Sequence, residues 1–209
     1  KMVPIQFQET VHCLAFLLNL VGRQAGSVEE ALSSGLTLQA SSDPYDPPNP
    51  DAYSYVVDGR CDFDMRIGRT SVIGHTDFKR NASWRKERII RGVGDGQPFE
   101  IQVDFLEGAK YLSINQQDQA VKPWSSSYVA VLDGYRRLAE DVPADQLMQA
   151  VYPNAAFARY TYQLSSVLWR ACREGEEIGI SGAEELLRFD ARFAEEVPRL
   201  GTYPIGSHG

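Results

Sequence analysis

The chain has 209 residues, 43% of them hydrophobic and 23% charged, with 28 acidic against 21 basic side chains and a net charge of −7. That length and hydrophobic content build a core without disulfides or metal and exclude a disordered chain. The longest apolar run, residues 11–21, contains His12 and Asn19 and is too short to span a bilayer, so it reads as a buried helix of a soluble protein.

In chain order, residues 1–40 read as an N-terminal helical segment. Phe7, Val11, Leu14, Leu18 and Val21 recur at spacings of three and four, which predicts a helix over 6–22 ending at Gly22. Ser27 followed by Glu29 and Glu30 predicts a short helix over 28–34 that stops near Gly35. Residues 41–52 hold Pro44, Pro47, Pro48 and Pro50. Proline removes backbone donors and restricts its neighbours, so this stretch reads as a polyproline-like surface connector.

Residues 53–114 alternate with period two. Tyr53, Tyr55 and Val57 begin the pattern; Cys61, Phe63, Met65 and Ile67 continue it, with Asp62, Asp64 and Arg66 on the other face. Phe99, Ile101, Val103 and Phe105 alternate with Glu100, Gln102 and Asp104. Such a pattern predicts an antiparallel sheet with one solvated face. Asp58-Gly59, Asp95-Gly96 and Glu107-Gly108 are hairpin signals.

The segment 125–197 reads as helical. Val129, Leu132, Tyr135 and Leu138 mark a helix over 127–141, and a further piece follows near 145–152. Phe157, Tyr160, Leu164, Val167, Leu168 and Ala171 mark one over 155–174, closed by Gly175. Ser181 and Glu184 have capping-box spacing for a last helix to about 196, before a tail at 198–209. The expected fold is a single α+β domain: an antiparallel sheet over about 53–114, C-terminal helices packed on one face, and an N-terminal helix at an edge or in that pack.

Cys13, Cys61 and Cys172 are odd in number and widely spaced, which fits neither a disulfide framework nor a zinc site. Three thiols packed as small hydrophobes favour a reducing compartment, and no residue set here calls for a cofactor.

Charge is segregated. Residues 60–91 carry nine cations against Asp62, Asp64, Asp77 and Glu87, a net of +5 in a chain of −7. Lys79, Arg80, Arg85, Lys86, Arg88 and Arg91 surround Trp84 and form the candidate partner-binding surface. Cations around an aromatic suit an acidic protein surface or, less well in so acidic a chain, the phosphates and bases of a nucleic acid. Gly92, Gly94 and Gly96 lack a following helix and include Asp95, so a hairpin turn fits better than a phosphate loop. Asp62 and Asp64 share a strand face and are expected to pair with nearby arginines. His75, two residues from Asp77 on the same face, is a candidate oriented base.

The segment Arg66-Ile67-Gly68-Arg69-Thr70-Ser71-Val72 resembles a strand of hot-dog-fold acyl thioesterases, a resemblance that implies acyl-group chemistry in a pocket between sheet and helices. Glu185-Leu186-Leu187-Arg188-Phe189 resembles the Glu-Ala-x-Arg-Phe segment of ribosome-inactivating RNA N-glycosidases. That likeness implies a Glu185–Arg188 pair at a reacting sugar, although Leu186 replaces the family's small residue. The leading expectation is a non-catalytic interaction protein that docks through a basic sheet face onto an acidic or phosphate-bearing partner in a larger assembly. A small-molecule or acyl-group enzyme or carrier is the alternative.

Overall fold

Eight strands form one antiparallel sheet in a computed structural model that describes residues 5–45, 57–77, 86–94, 96–106, 109–119, 132, 136, 140 and 155–192. In chain order the elements are α1 (Ile5–Gln8), α2 (Thr10–Ala25), α3 (Val28–Leu32), β1 (Leu36–Tyr45), β2 (Val57–Ile67), β3 (Thr70–Asp77), β4 (Lys86–Gly94), β5 (Gln97–Leu106), β6 (Ala109–Ile114), β7 (Gln117–Asp118), α4 (Ala155–Glu174), β8 (Ile178–Ile180) and α5 (Ala183–Arg188). Strands β1 to β7 meander in sequence order, and β8 returns after α4 to pair antiparallel with β1. The fold is α+β, with α4 packed on the sheet and an N-terminal helix beside it.

Period two divides the sheet into two faces. Leu36, Leu38 and Ala40 of β1, Cys61, Phe63, Met65 and Ile67 of β2, and Val72 of β3 are buried toward the helices. From the helix layer, Leu14, Leu17, Leu18 and Val21 of α2 and Leu164, Val167 and Leu168 of α4 meet them. Burying each such side chain contributes about 1.5–3 kcal/mol. Two cross-strand pairs on the inner face, Phe63 opposite Gly74 and Phe99 opposite Gly92, place a ring over a residue without a side chain. A Cβ on Gly74 would lie 2.0 Å from Phe63 Cζ.

Several boundaries differ from expectation, each for a local reason. The first helix is two, α1 and α2, and passes through Gly22 to Ala25. Gly22 is buried on the packed face, whereas Gly26 takes φ 102°, the left-handed region that ends a helix, and donates its N–H to the Gly22 carbonyl. The short second helix forms as α3, where Ser27 Oγ accepts the Glu30 N–H at 3.0 Å.

Strand β1 replaces the end of the expected helical segment and the first half of the expected connector. Its inward Leu36, Leu38 and Ala40 alternate, and Pro44 sits at a bulge, where a missing N–H is tolerated. Residues 46–52 of the connector, the start of the sheet at 53–56 and the tail lie outside the described residues. Asp58-Gly59 is not a hairpin: it lies within β2, where pairing steps from Arg60 to Asp58 across Gly59. The β2–β3 turn is Gly68-Arg69, with Gly68 at φ 55°. Gly96, at φ 75°, lies in the β4–β5 turn, as the Asp95-Gly96 signal predicts.

Helix α4 matches its predicted span, and the Gly175 N–H bonds the Ala171 carbonyl at 2.9 Å. Of the helix expected over 127–141, Leu132, Arg136 and Glu140 are described. They are helical and exposed, and Arg136 bonds Glu140 at 2.6 Å. The piece near 145–152 lies outside the described residues. The last helix ends at Arg188 rather than near 196, and its N-cap is Gly182. Ser181 instead bonds Glu185, one residue beyond the expected capping-box position.

Candidate functional site

Strand alternation decides where the basic stretch points. Lys79, Arg80, Trp84 and Arg85 lie outside the described residues, and Lys86 opens β4. Arg88 and Arg91, three apart on β4, fall on opposite faces. Arg88 turns toward the helix layer, 19% exposed, and pairs with Glu9 (12% exposed) in the α1–α2 junction. Beside this pair the hydroxyls of Thr10 and Thr76 bond at 2.7 Å. Arg91 points outward, 57% exposed, and pairs with Glu100 on β5. Of the expected basic sheet face, the described outer residues mix Arg60, Arg66 and Arg91 with Asp43, Asp62, Asp64, Asp77 and Glu100.

Asp62 does pair with arginine, and it also holds the histidine. Arg60 Nε donates to Asp62 Oδ2 at 2.8 Å, and His75 Nδ1 lies 2.6 Å from Asp62 Oδ1. Hydrogen bonding to this carboxylate pushes the Arg60 guanidinium above its ordinary pKa. The expected orienting partner of His75 was Asp77, on its own strand. Asp62 prevails because it stands directly opposite His75, where cross-strand Cβ atoms come within about 5 Å. An aspartate on Nδ1 favours the tautomer that leaves Nε2 as an acceptor. A nucleophile for such a base would have to stand on the side away from Asp62, and there the residue in register is Ile89. Ser41, the hydroxyl in this cross-strand row, stands across Asp62 on the wrong side.

A groove of about 700 Å³ opens at one end of the sheet. Ser33, Ser34, Thr37, Arg66, Ser181 and Glu185 line it, with Thr37 of β1 in register with Arg66 of β2. Glu185 accepts from the Ser181 N–H at 2.6 Å and the Ser181 hydroxyl at 2.5 Å, and these bonds hold its carboxyl below the ordinary carboxylate range. Arg188 bonds Glu184 at 2.6 Å, both 77% exposed. The two residues suggested by the N-glycosidase resemblance are thus each committed to a different partner. The segment likened to a thioesterase strand is likewise divided by the Gly68-Arg69 turn into the end of β2 and the start of β3.

Neither the groove nor the Asp62–His75 contact was among the sequence expectations, because both depend on pairing between distant segments. Among the described residues no group of three or more His, Cys, Asp or Glu side chains is placed to hold a metal ion, and no helix is long and apolar enough to cross a membrane. No protein family, curated protein or solved structure matches the chain.

Proposed function

We propose that the protein is a non-catalytic docking module that binds an acidic protein surface through the chain between β3 and β4. One observation carries the reading: residues 78–86 hold Lys79, Arg80, Arg85 and Lys86 around Trp84 with no acidic residue, in a chain of net charge −7. Three arginines on the neighbouring strands are already engaged, Arg60 by Asp62, Arg88 by Glu9 and Arg91 by Glu100, while Arg66 lies at the far end of β2. A partner's carboxylates would therefore meet the cations of 79–86 rather than those of the strands. Trp84 supplies a large aromatic surface of the kind that dominates docking energetics.

The test is reversal of Lys79, Arg80 and Arg85 to glutamate, with folding checked by circular dichroism. Binding of wild type and variant to polyglutamate is then compared across salt. Expected are wild-type retention that falls with salt, since charges are screened beyond about 10 Å at 0.1 M, and its loss in the variant. Equal retention of the two proteins would end the proposal, and retention on RNA but not on polyglutamate would replace the acidic protein with a nucleic acid.

A second reading rests on the groove. Arg66 and Glu185 present opposite charges around a space rimmed by Ser33, Ser34, Thr37 and Ser181. That lining suits a small zwitterion, with Arg66 for its carboxylate and Glu185 for its ammonium. It suits an acyl chain poorly. A thermal-shift screen of free amino acids, with Arg66→Ala and Glu185→Gln as controls, decides: a shift lost in both variants supports it, and no shift removes it.

A further inference from the structure

Two of the three cysteines, far apart in sequence, meet between the sheet and the helix layer. Cys61 lies in the middle of β2 and is 0% exposed; Cys172 is near the end of α4 and partly exposed. Their sulfurs are 3.9 Å apart across 111 residues of chain. A disulfide bond is about 2.05 Å long, so the sulfurs have to approach by nearly two ångströms for the bond to form. Cys13, 2% exposed in α2, is a separate buried thiol, which burial pushes up to about 12.

We propose that Cys61 and Cys172 form a reversible disulfide-forming modification site whose oxidant is a small peroxide. Partial exposure makes Cys172 the sulfur that a peroxide reaches. Its thiolate attacks one peroxide oxygen, the O–O bond breaks, and Cys172 becomes a sulfenic acid while hydrogen peroxide's other oxygen leaves as water. The Cys61 sulfur then attacks the Cys172 sulfur. The S–O bond breaks, the second oxygen leaves as water with the Cys61 proton, and the S–S bond forms. Overall two thiols lose two hydrogens and one peroxide becomes two waters. A dithiol reductant reverses the change by exchange.

The bridge has a definite structural meaning. Strands β3 to β7 lie between the two cysteines in sequence, so the closed loop encloses most of the sheet and ties β2 to α4. It would hold the helix layer on the sheet whatever happens to the intervening connections.

The test uses the full chain. Reduced protein is treated with a small molar excess of hydrogen peroxide, remaining thiols are blocked with N-ethylmaleimide under denaturing conditions, and the unreduced digest is mapped by mass spectrometry. The expected product is a Cys61–Cys172 cross-linked peptide that dithiothreitol abolishes, with Cys13 recovered as its maleimide adduct. In Cys61→Ala the resolving sulfur is missing, so Cys172 should be trapped by dimedone as a sulfenic acid. Complete blocking of both thiols by maleimide in the wild type, or a cross-link that joins Cys13 instead, overturns the proposal without reference to any variant.

Discussion

Gly74→Ala should be among the most damaging single-methyl changes in this sheet. Gly74 faces inward on β3, opposite Phe63 of β2, and the ring of Phe63, a residue 3% exposed, occupies the space a side chain at 74 would need. A methyl there would sit 2.0 Å from Cζ and 2.2 Å from Cε1, where carbon atoms normally stay about 3.5–4 Å apart. Either the ring is expelled, which forgoes its burial of about 1.5–3 kcal/mol, or the strands part, with overpacking costs of about 1–3 kcal/mol. Alanine recovers about 0.5–1 kcal/mol over glycine within a strand, so the expected net loss is about 1.5 kcal/mol. For a chain of this length that is a fall in Tm of roughly 3–6 °C. Urea titration followed by tryptophan fluorescence reads it directly. Phe63→Ala alone should cost about 3–5 kcal/mol, but in that background the methyl enters vacated space and Gly74→Ala should cost nothing further. A loss under about 0.5 kcal/mol, or the same loss with and without Phe63, would refute the close-contact reasoning.

Alkaline pH should unfold the protein for an identifiable reason. Burial holds Cys13 at about 12 against an ordinary 9.0, and burial with a hydrogen bond to Glu29 holds Tyr160 at about 12 against 10.0. Both folded values are raised, so the unfolded chain loses these protons first; stability is complete below pH 9 and declines toward pH 12. Denaturation midpoints measured from pH 8 to 11 should show this, and Cys13→Ala should flatten the early part of the decline. Glu9→Gln removes the charge that faces Arg88 in a largely buried place and should cost about 3 kcal/mol, while Glu9→Leu with Arg88→Met should recover most of it. If the Cys61–Cys172 bridge forms, the chain-entropy model gives about 5 kcal/mol for a loop of this size, a rise in Tm on the order of 10 °C that calorimetry with and without dithiothreitol would resolve.

Local patterns were legible where one physical signal acted alone. Helix α4 follows its apolar stripe from Phe157 to Ala171 and stops before Gly175, at φ 70°, as sequence reading expects. Ser27 caps α3 because a serine hydroxyl three residues before an amide N–H needs no tertiary help. Reading failed where a residue's role depended on distant partners. Strand β1 alternates Leu36, Leu38 and Ala40 for only a few residues before Pro44, too short a run to outweigh the prolines. It is a strand because β2 pairs along its whole length. Strand β8 is three residues long and has meaning only through Leu36, Thr37 and Leu38. Asp58-Gly59 carries the composition of a hairpin turn, yet the same backbone freedom serves a bulge, and only the register separates the two.

The basic window shows why a count of charges along a chain does not define a surface. On a strand, successive cations point to opposite sides, and a buried side can recruit one of them to a structural pair. Arg88 is such a case: it meets Glu9 beneath the sheet, next to the Thr10–Thr76 hydrogen bond, and so joins the α1–α2 junction to β3 and β4. Arg88→Glu would set two carboxylates against each other there, and any binding lost with it would report damage to the helix–sheet junction instead of docking. Arg91→Glu has a milder version of the same fault, because it would face Glu100. Substitutions at Lys79, Arg80 and Arg85 replace no member of either described pair. If those three reversals preserve the urea midpoint and abolish retention on polyglutamate, the docking surface is separate from the sheet's own ion pairs; if retention falls only when the midpoint falls, the positive charge of this window serves the fold.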